Sequence, residues 1–100
     1  MYGVNGYIKA VEGKQQELLK YLLEASNEMK QVEGNYCYIV GTSEEDKDAV
    51  FIYEVWKNKE AHLASLQLPV FISLIKKAKP IIAGMKSYPK LTIHSDLTTR

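Results

Sequence analysis

Two short segments constrain this chain more than anything else in it. Tyr36-Cys37-Tyr38-Ile39-Val40 and Val50-Phe51-Ile52-Tyr53-Glu54-Val55-Trp56 are apolar or aromatic at nearly every position. Such residues favour extended backbone, so the surrounding sequence reads as two strands, Asn35 to Thr42 and Ala49 to Lys57. The polar run Ser43 to Asp48 between them reads as a hairpin loop, which makes them antiparallel neighbours. Successive side chains of a strand point to opposite faces, and here both sets are apolar, so both faces of the sheet need a cover.

The rest of the chain supplies a cover for one face. From Lys14 to Val32, Leu18, Leu22, Ala25, Met29 and Val32 recur at three- and four-residue steps, the stripe of an amphipathic helix that Gly34 then ends. Asn58 is placed to cap a short second helix, with Glu60 in its first turn suiting the positive end of the helix dipole. Pro69 fits the first turn of a third, where its missing amide hydrogen costs nothing, and Phe71, Leu74, Ile75, Ala78 and Ile82 form that helix's buried stripe. Pro80 is expected to kink or restart it. Tyr2 to Val11 reads as the first strand and Tyr88 to Ser95 as the last, with Asp96 to Arg100 a frayed polar tail.

The order β-α-β-β-α-β is that of an α+β, ferredoxin-like fold, in which helices cover one face of an antiparallel sheet. One hundred residues without repeat or linker predict a single domain, residues 1–100. The uncovered apolar face predicts a partner, and a second copy of the chain joined by a two-fold axis is the commonest remedy. A homodimer through the sheet faces follows.

Thirteen basic and twelve acidic side chains leave a formal charge of +1, which gives no long-range attraction for nucleic acid or an anionic membrane. The lysines at 76, 77, 79, 86 and 90 read as a solvated face. Cys37 is the single cysteine and no basic segment precedes an apolar run at the start, so a reducing, cytoplasmic setting is expected. No stretch approaches the roughly 20 apolar residues that span a bilayer. His62 and His94 are far apart, with no acidic residue at a helical ligand spacing, so no metal site is expected, and no glycine-rich loop joins a strand to a helix to hold a phosphate.

Chemistry must then come from a few residues. His62, early in the second helix, is a candidate general base for a phenolic proton, or else a partly exposed helix histidine. Trp56, Tyr53, Tyr38, Tyr36, Tyr7 and Phe51, an aromatic set on neighbouring strands, are suited to stacking on a flat ligand; ordinary core and dimer packing is the alternative. Glu54 lies in so apolar a strand that it must be paired, protonated or functional. Asn5 offers an amide for a ligand carbonyl or oxyanion, or is simply an exposed strand residue. Cys37 reads as a small buried hydrophobe and His94 as a surface or interface residue.

The stretches Val11-Glu12-Gly13-Lys14, Val32-Glu33-Gly34-Asn35-Tyr36, Ile52-Tyr53-Glu54-Val55-Trp56-Lys57-Asn58-Lys59-Glu60-Ala61-His62-Leu63-Ala64-Ser65, Pro69-Val70-Phe71 and Pro80-Ile81-Ile82-Ala83-Gly84, in this order and spacing, resemble the antibiotic biosynthesis monooxygenase domain family from about Gly3 to Leu97. The resemblance implies a dimeric α+β barrel with a pocket between sheet and helices. It also implies chemistry drawn from a varied set: oxygenation of quinols or polycyclic phenols without metal or flavin, haem degradation, or sugar-phosphate isomerisation. Many members carry histidines at the positions aligned with Ser65 and Val70, and this chain has neither. The tryptophan and histidine of the haem-degrading branch align with Ser65 and Ile75, which disfavours that activity. The leading expectation is therefore a cofactor-independent monooxygenase of a small quinol or polyphenol. His62, Asn5 and Trp56 are its catalytic candidates, and Tyr7, Tyr38, Tyr53, Glu54 and Phe71 its substrate contacts. A non-catalytic ligand-binding or stress-response module and a sugar-phosphate isomerase are the alternatives.

Overall fold

The computed structural model describes residues 1–95, so the expected tail at 96–100 lies outside the described residues. Three helices lie on one face of an antiparallel sheet. Its strands are β1 (Tyr2–Ala10), β2 (Asn35–Ser43), β3 (Asp46–Trp56), β4 (Ile82–Ser87) and the short β5 (Leu91–Thr92). The order across the sheet is β2-β3-β1-β4, with β5 pairing the start of β1. Of the two segments apolar on both faces, β3 is interior, lying between β1 and β2 and antiparallel to each, while β2 forms an edge of the sheet. The expected hairpin loop shrinks to a tight turn, because β2 runs on to Ser43 and β3 begins at Asp46.

The helices are α1 (Gln15–Met29), α2 (Lys59–Ser65) and α3 (Pro69–Ala78). The stripe of α1 buries Leu18, Leu22, Ala25, Ser26 and Met29. Leu18 and Leu22 pack with Ala10, Val50 and Ala78 in one core cluster, and Met29 packs with Tyr38 and Trp56 in a second. The Ser26 hydroxyl donates to the Tyr38 carbonyl at 3.2 Å, which fixes α1 along β2. Gly34 follows α1 with φ of 90°, a conformation that side chains beyond glycine rarely adopt, and so turns the chain into β2. The Asn58 side chain accepts from the Ala61 amide at 2.8 Å, capping α2 as its sequence predicts. Pro69 stands in the first turn of α3.

The last strand differs from expectation. Pro80 cannot donate a helical hydrogen bond, so α3 ends at Ala78 and a single 3₁₀ turn, Lys79–Ile81, delivers Ile82 directly into β4. Ile82 therefore pairs with Ala10 instead of extending the stripe of α3. Within the expected strand Tyr88–Ser95, only Leu91 and Thr92 join the sheet.

Both core clusters draw on one set of alternating strand residues, Val4, Ile8, Ile52, Trp56, Tyr38 and Val40 among them. The other set faces away from the helices. On that face the register aligns Asn5 with Tyr53, Tyr7 with Phe51 and Ile39 with Tyr53. The rings of Tyr7 and Phe51 lie 5.6 Å apart there, while Ile39 is 56% exposed. Among the described residues, no helix is long and apolar enough to cross a membrane.

Candidate functional site

Between the helices and the sheet lies a cavity of about 360 Å³. Leu22 of α1 and Phe71 and Ile75 of α3 form its helical wall, and Val4, Ile8 and Ile52 its floor. Tyr38 and Glu54 bring polar atoms into this apolar lining from β2 and β3. Met85, Lys86 and Ser87 border it from β4, where Met85 is 68% exposed and marks the open side. A volume of this size falls within the usual range for small-molecule pockets, and so does the pattern of apolar walls with a few polar groups.

Glu54 is the centre of the site's electrostatics. Its side chain is largely buried, and its Oε1 accepts the indole Nε1–H of Trp56 at 2.9 Å. Burial raises its carboxyl above the ordinary range, and the Trp56 hydrogen bond opposes part of that rise. The Tyr38 hydroxyl is pushed well above its usual value, first by burial and then by the nearby Glu54 charge. His62 Nε2 stands 4.0 Å from the same Glu54 Oε1. The imidazole is held below its ordinary value, mainly by burial and secondarily by the Lys90 charge. Its Nδ1 is buried with no hydrogen-bond partner among the described residues.

His62 is 7% exposed, so it is not the partly exposed helix residue that its short helix suggests. The α2 cap and the turn at Gly34 press this helix onto the end of the sheet, where the ring lies 6.0 Å from that of Trp56 and 5.9 Å from that of Tyr2. The Ser65 hydroxyl donates to the His62 carbonyl at 2.6 Å and is itself buried.

The structure brings Glu54, Tyr38 and Phe71 onto the cavity and sets Trp56 and His62 directly behind Glu54. Asn5 and Tyr7 border the cavity from β1, although their register aligns them with Tyr53 and Phe51 on the opposite sheet face. The Asn5 Oδ1 is buried without a partner among the described residues. Tyr53 and His94 do not line the cavity. Leu22, Ile75 and Met85 are lining residues that the sequence did not single out. The helix stripes contain the first two, but nothing distinguishes a stripe residue over a cavity from one over the core. Met85 falls between the expected third helix and the strand expected from Tyr88, in a stretch that the sequence assigns to no element. Among the described residues, no group of three or more histidine, cysteine, aspartate or glutamate side chains converges as a metal site would require.

The profile of the antibiotic biosynthesis monooxygenase family matches residues 1–77. No protein among the curated sequences matches the chain. Among solved structures, a Chloroflexus aurantiacus protein described as a candidate antibiotic biosynthesis monooxygenase is 31% identical, with 94% of this chain and 96% of that one covered and a TM-score of 0.76. A Deinococcus radiodurans protein with the same description is 20% identical, covering 100% of this chain and 99% of that one at a TM-score of 0.85. A third, from Nitrosomonas europaea, is 15% identical over 87% of this chain and 85% of that one, with a TM-score of 0.82. The last two likenesses speak for the fold.

Proposed function

The chain belongs to the antibiotic biosynthesis monooxygenase family, and from that membership we propose that it binds a small quinol or polyphenol in the cavity and oxygenates it without metal or flavin. The observation that carries this reading is a buried carboxyl, Glu54, opening into an otherwise apolar cavity beside the Tyr38 hydroxyl. Flat apolar walls accept an aromatic ring, and a single polar end accepts its hydroxyl.

In the proposed reaction a base takes the phenolic proton, and the electron-rich anion passes an electron to dioxygen. A carbon–oxygen bond then forms on the ring. One oxygen atom stays on the ring as the new hydroxyl and the other leaves as water. The substrate supplies every electron, so a quinol and dioxygen give a hydroxyquinone and water. The dry lining protects the anion and fixes its orientation.

The test is oxygen uptake by the purified, metal-free protein supplied with menadiol-type quinols. Uptake well above autoxidation supports the reading, and a rate equal to autoxidation removes it. Ser65 gives the non-catalytic reading its footing, because a buried structural serine stands where many relatives have a histidine. Thermal stabilisation by a quinol without any oxygen uptake favours that ligand-binding module.

The same reading includes a homodimer. Tyr7, Phe51, Tyr53 and Ile39 make an apolar patch on the helix-free sheet face, and a second copy packed there covers it on both subunits at once. Sedimentation of the wild type as a dimer, and of Ile39→Lys as a monomer, is the expected result; a wild-type monomer at micromolar concentration overturns it.

A further inference from the structure

Glu54 borders the cavity and His62 does not, which reverses the order in which a ligand meets them. The Glu54 Oε1 is already engaged by Trp56 Nε1–H at 2.9 Å, with His62 Nε2 4.0 Å away on the same oxygen. The other oxygen, Oε2, has no hydrogen-bond partner among the described residues. From β2 the carboxyl is faced by Tyr38, from β3 by Trp56 and from α2 by His62. From α1 and α3 the cavity receives only Leu22, Phe71 and Ile75, none of them ionisable; Lys86 of β4 borders it, but that residue pairs with Tyr7 of the helix-free face and its Nζ lies over the Tyr88 ring at 5.2 Å. Behind His62 stand the Tyr2 ring and the Lys90 charge.

We propose that Glu54 is the catalytic base that meets a phenolic hydroxyl in the cavity, and that His62 is a positioning residue that acts through the Glu54 Oε1. The inference rests on the cavity being the ligand site of the proposed function, and it assigns the proton step within it. The ligand O–H bond breaks, a new O–H bond forms on Oε2, and the electron pair stays on the ligand oxygen as a phenolate. Neither an oxidant nor a reductant enters this step. The trapped phenolate carries the charge that Glu54 gave up, so the site holds one negative charge before and after transfer and needs no new counter-ion. Burial strengthens the carboxylate as a base, because a proton acceptor closer in affinity to a phenol takes its proton more readily.

The probe is 4-nitrophenol, whose anion is yellow, titrated into the full chain across a range of pH. Bound to the wild type, it shares one proton with Glu54, so its anion band persists below the pH at which free nitrophenol loses it. In Glu54→Gln, which keeps the side chain's shape and an acceptor for Trp56, the bound anion fraction near neutrality falls by about tenfold, the equivalent of one pKa unit. Glu54→Asp restores part of the band, which a lost structural contact would not. His62→Gln keeps nitrophenol bound but moves the pH at which the band appears. An anion fraction equal in wild type and Glu54→Gln overturns the proposal, as does a failure of nitrophenol to bind. A Glu54-dependent band without oxygen uptake from quinols upholds this inference and removes the oxygenase reading. Quinol-dependent oxygen uptake that survives Glu54→Gln undiminished does the reverse.

Discussion

Gly6→Ala tests the closeness of β1 to β4, on which the cavity's open side depends. Gly6 pairs with Ser87, and a Cβ built on it would lie 2.2 Å from the Lys86 carbonyl oxygen and 3.0 Å from the Ser87 Cα. Both obstacles are backbone atoms, so no rotamer change relieves the contact. β4 must instead move away from β1, next to the bond in which the Tyr88 amide donates to the Asn5 carbonyl at 3.0 Å. Overpacking costs about 1–3 kcal/mol, and an immovable obstacle places this case near about 3 kcal/mol. For a domain of this size each kcal/mol moves Tm by roughly 4–8 °C, so the expected fall is roughly 12–24 °C. Circular dichroism melts at one fixed protein concentration measure it. Gly41→Ala is the control, because a Cβ at Gly41 meets nothing within 4 Å and should move Tm by only a few degrees. If the two variants melt together, close to the wild type, the argument from backbone approach is wrong.

Burial raises the Glu54 carboxyl above its ordinary 4.5, so the stability it contributes is complete below that pH and is lost as pH rises through the raised value. His62 is lowered from 6.5, so its contribution is present above pH 6.5 and is lost as pH falls through the lowered value. Glu54→Gln removes the first loss alone, so its Tm relative to the wild type should climb as pH rises from about 4.5 through the raised value and level off beyond it; a constant difference refutes the assignment. Asn58→Ala deletes the acceptor of the Ala61 amide and should cost about 1 kcal/mol, read as a lower urea midpoint; an unchanged midpoint would show that the cap contributes nothing.

The sequence was most informative where one interaction dominates. The stripe of α1, the cap at Asn58, the helix start at Pro69 and the pairing of β2 with β3 follow from periodicity and from single residues with narrow conformational preferences. The segment after α3 was harder, because Ile81 and Ile82 satisfy a helical stripe and a strand equally well over so short a run. Only the pairing of Ile82 with Ala10 and the Val11 amide's bond to the Ile81 carbonyl at 2.8 Å decide it, and both are distant in sequence. Within the site, Glu54 stood out because a carboxylate in an apolar strand calls for an explanation. Its alternation with Trp56 also places the two on one face, where they do bond. The depth of His62 could not be read, since burial of a seven-residue helix depends on how it docks.

The departures at Ser65 and Val70 acquire a physical meaning once α2 is in place. Ser65 is 2% exposed and its hydroxyl is used on the His62 carbonyl, so an imidazole in its place would need space that the packed sheet end does not offer. Val70 lies in the first turn of α3, 38% exposed, and does not line the cavity. The chain has two histidines, and of these only His62 approaches a group that borders the cavity. In the reaction proposed for this chain, proton chemistry therefore converges on one carboxyl and the imidazole behind it. Because Trp56 donates to that same carboxyl and is the chain's single tryptophan, its fluorescence reports the ionisation of Glu54 directly. An emission component that titrates with a midpoint above the ordinary carboxylate range, and that is lost in Glu54→Gln, is the behaviour this arrangement requires; emission indifferent to the substitution would show that the indole and the carboxyl are not coupled.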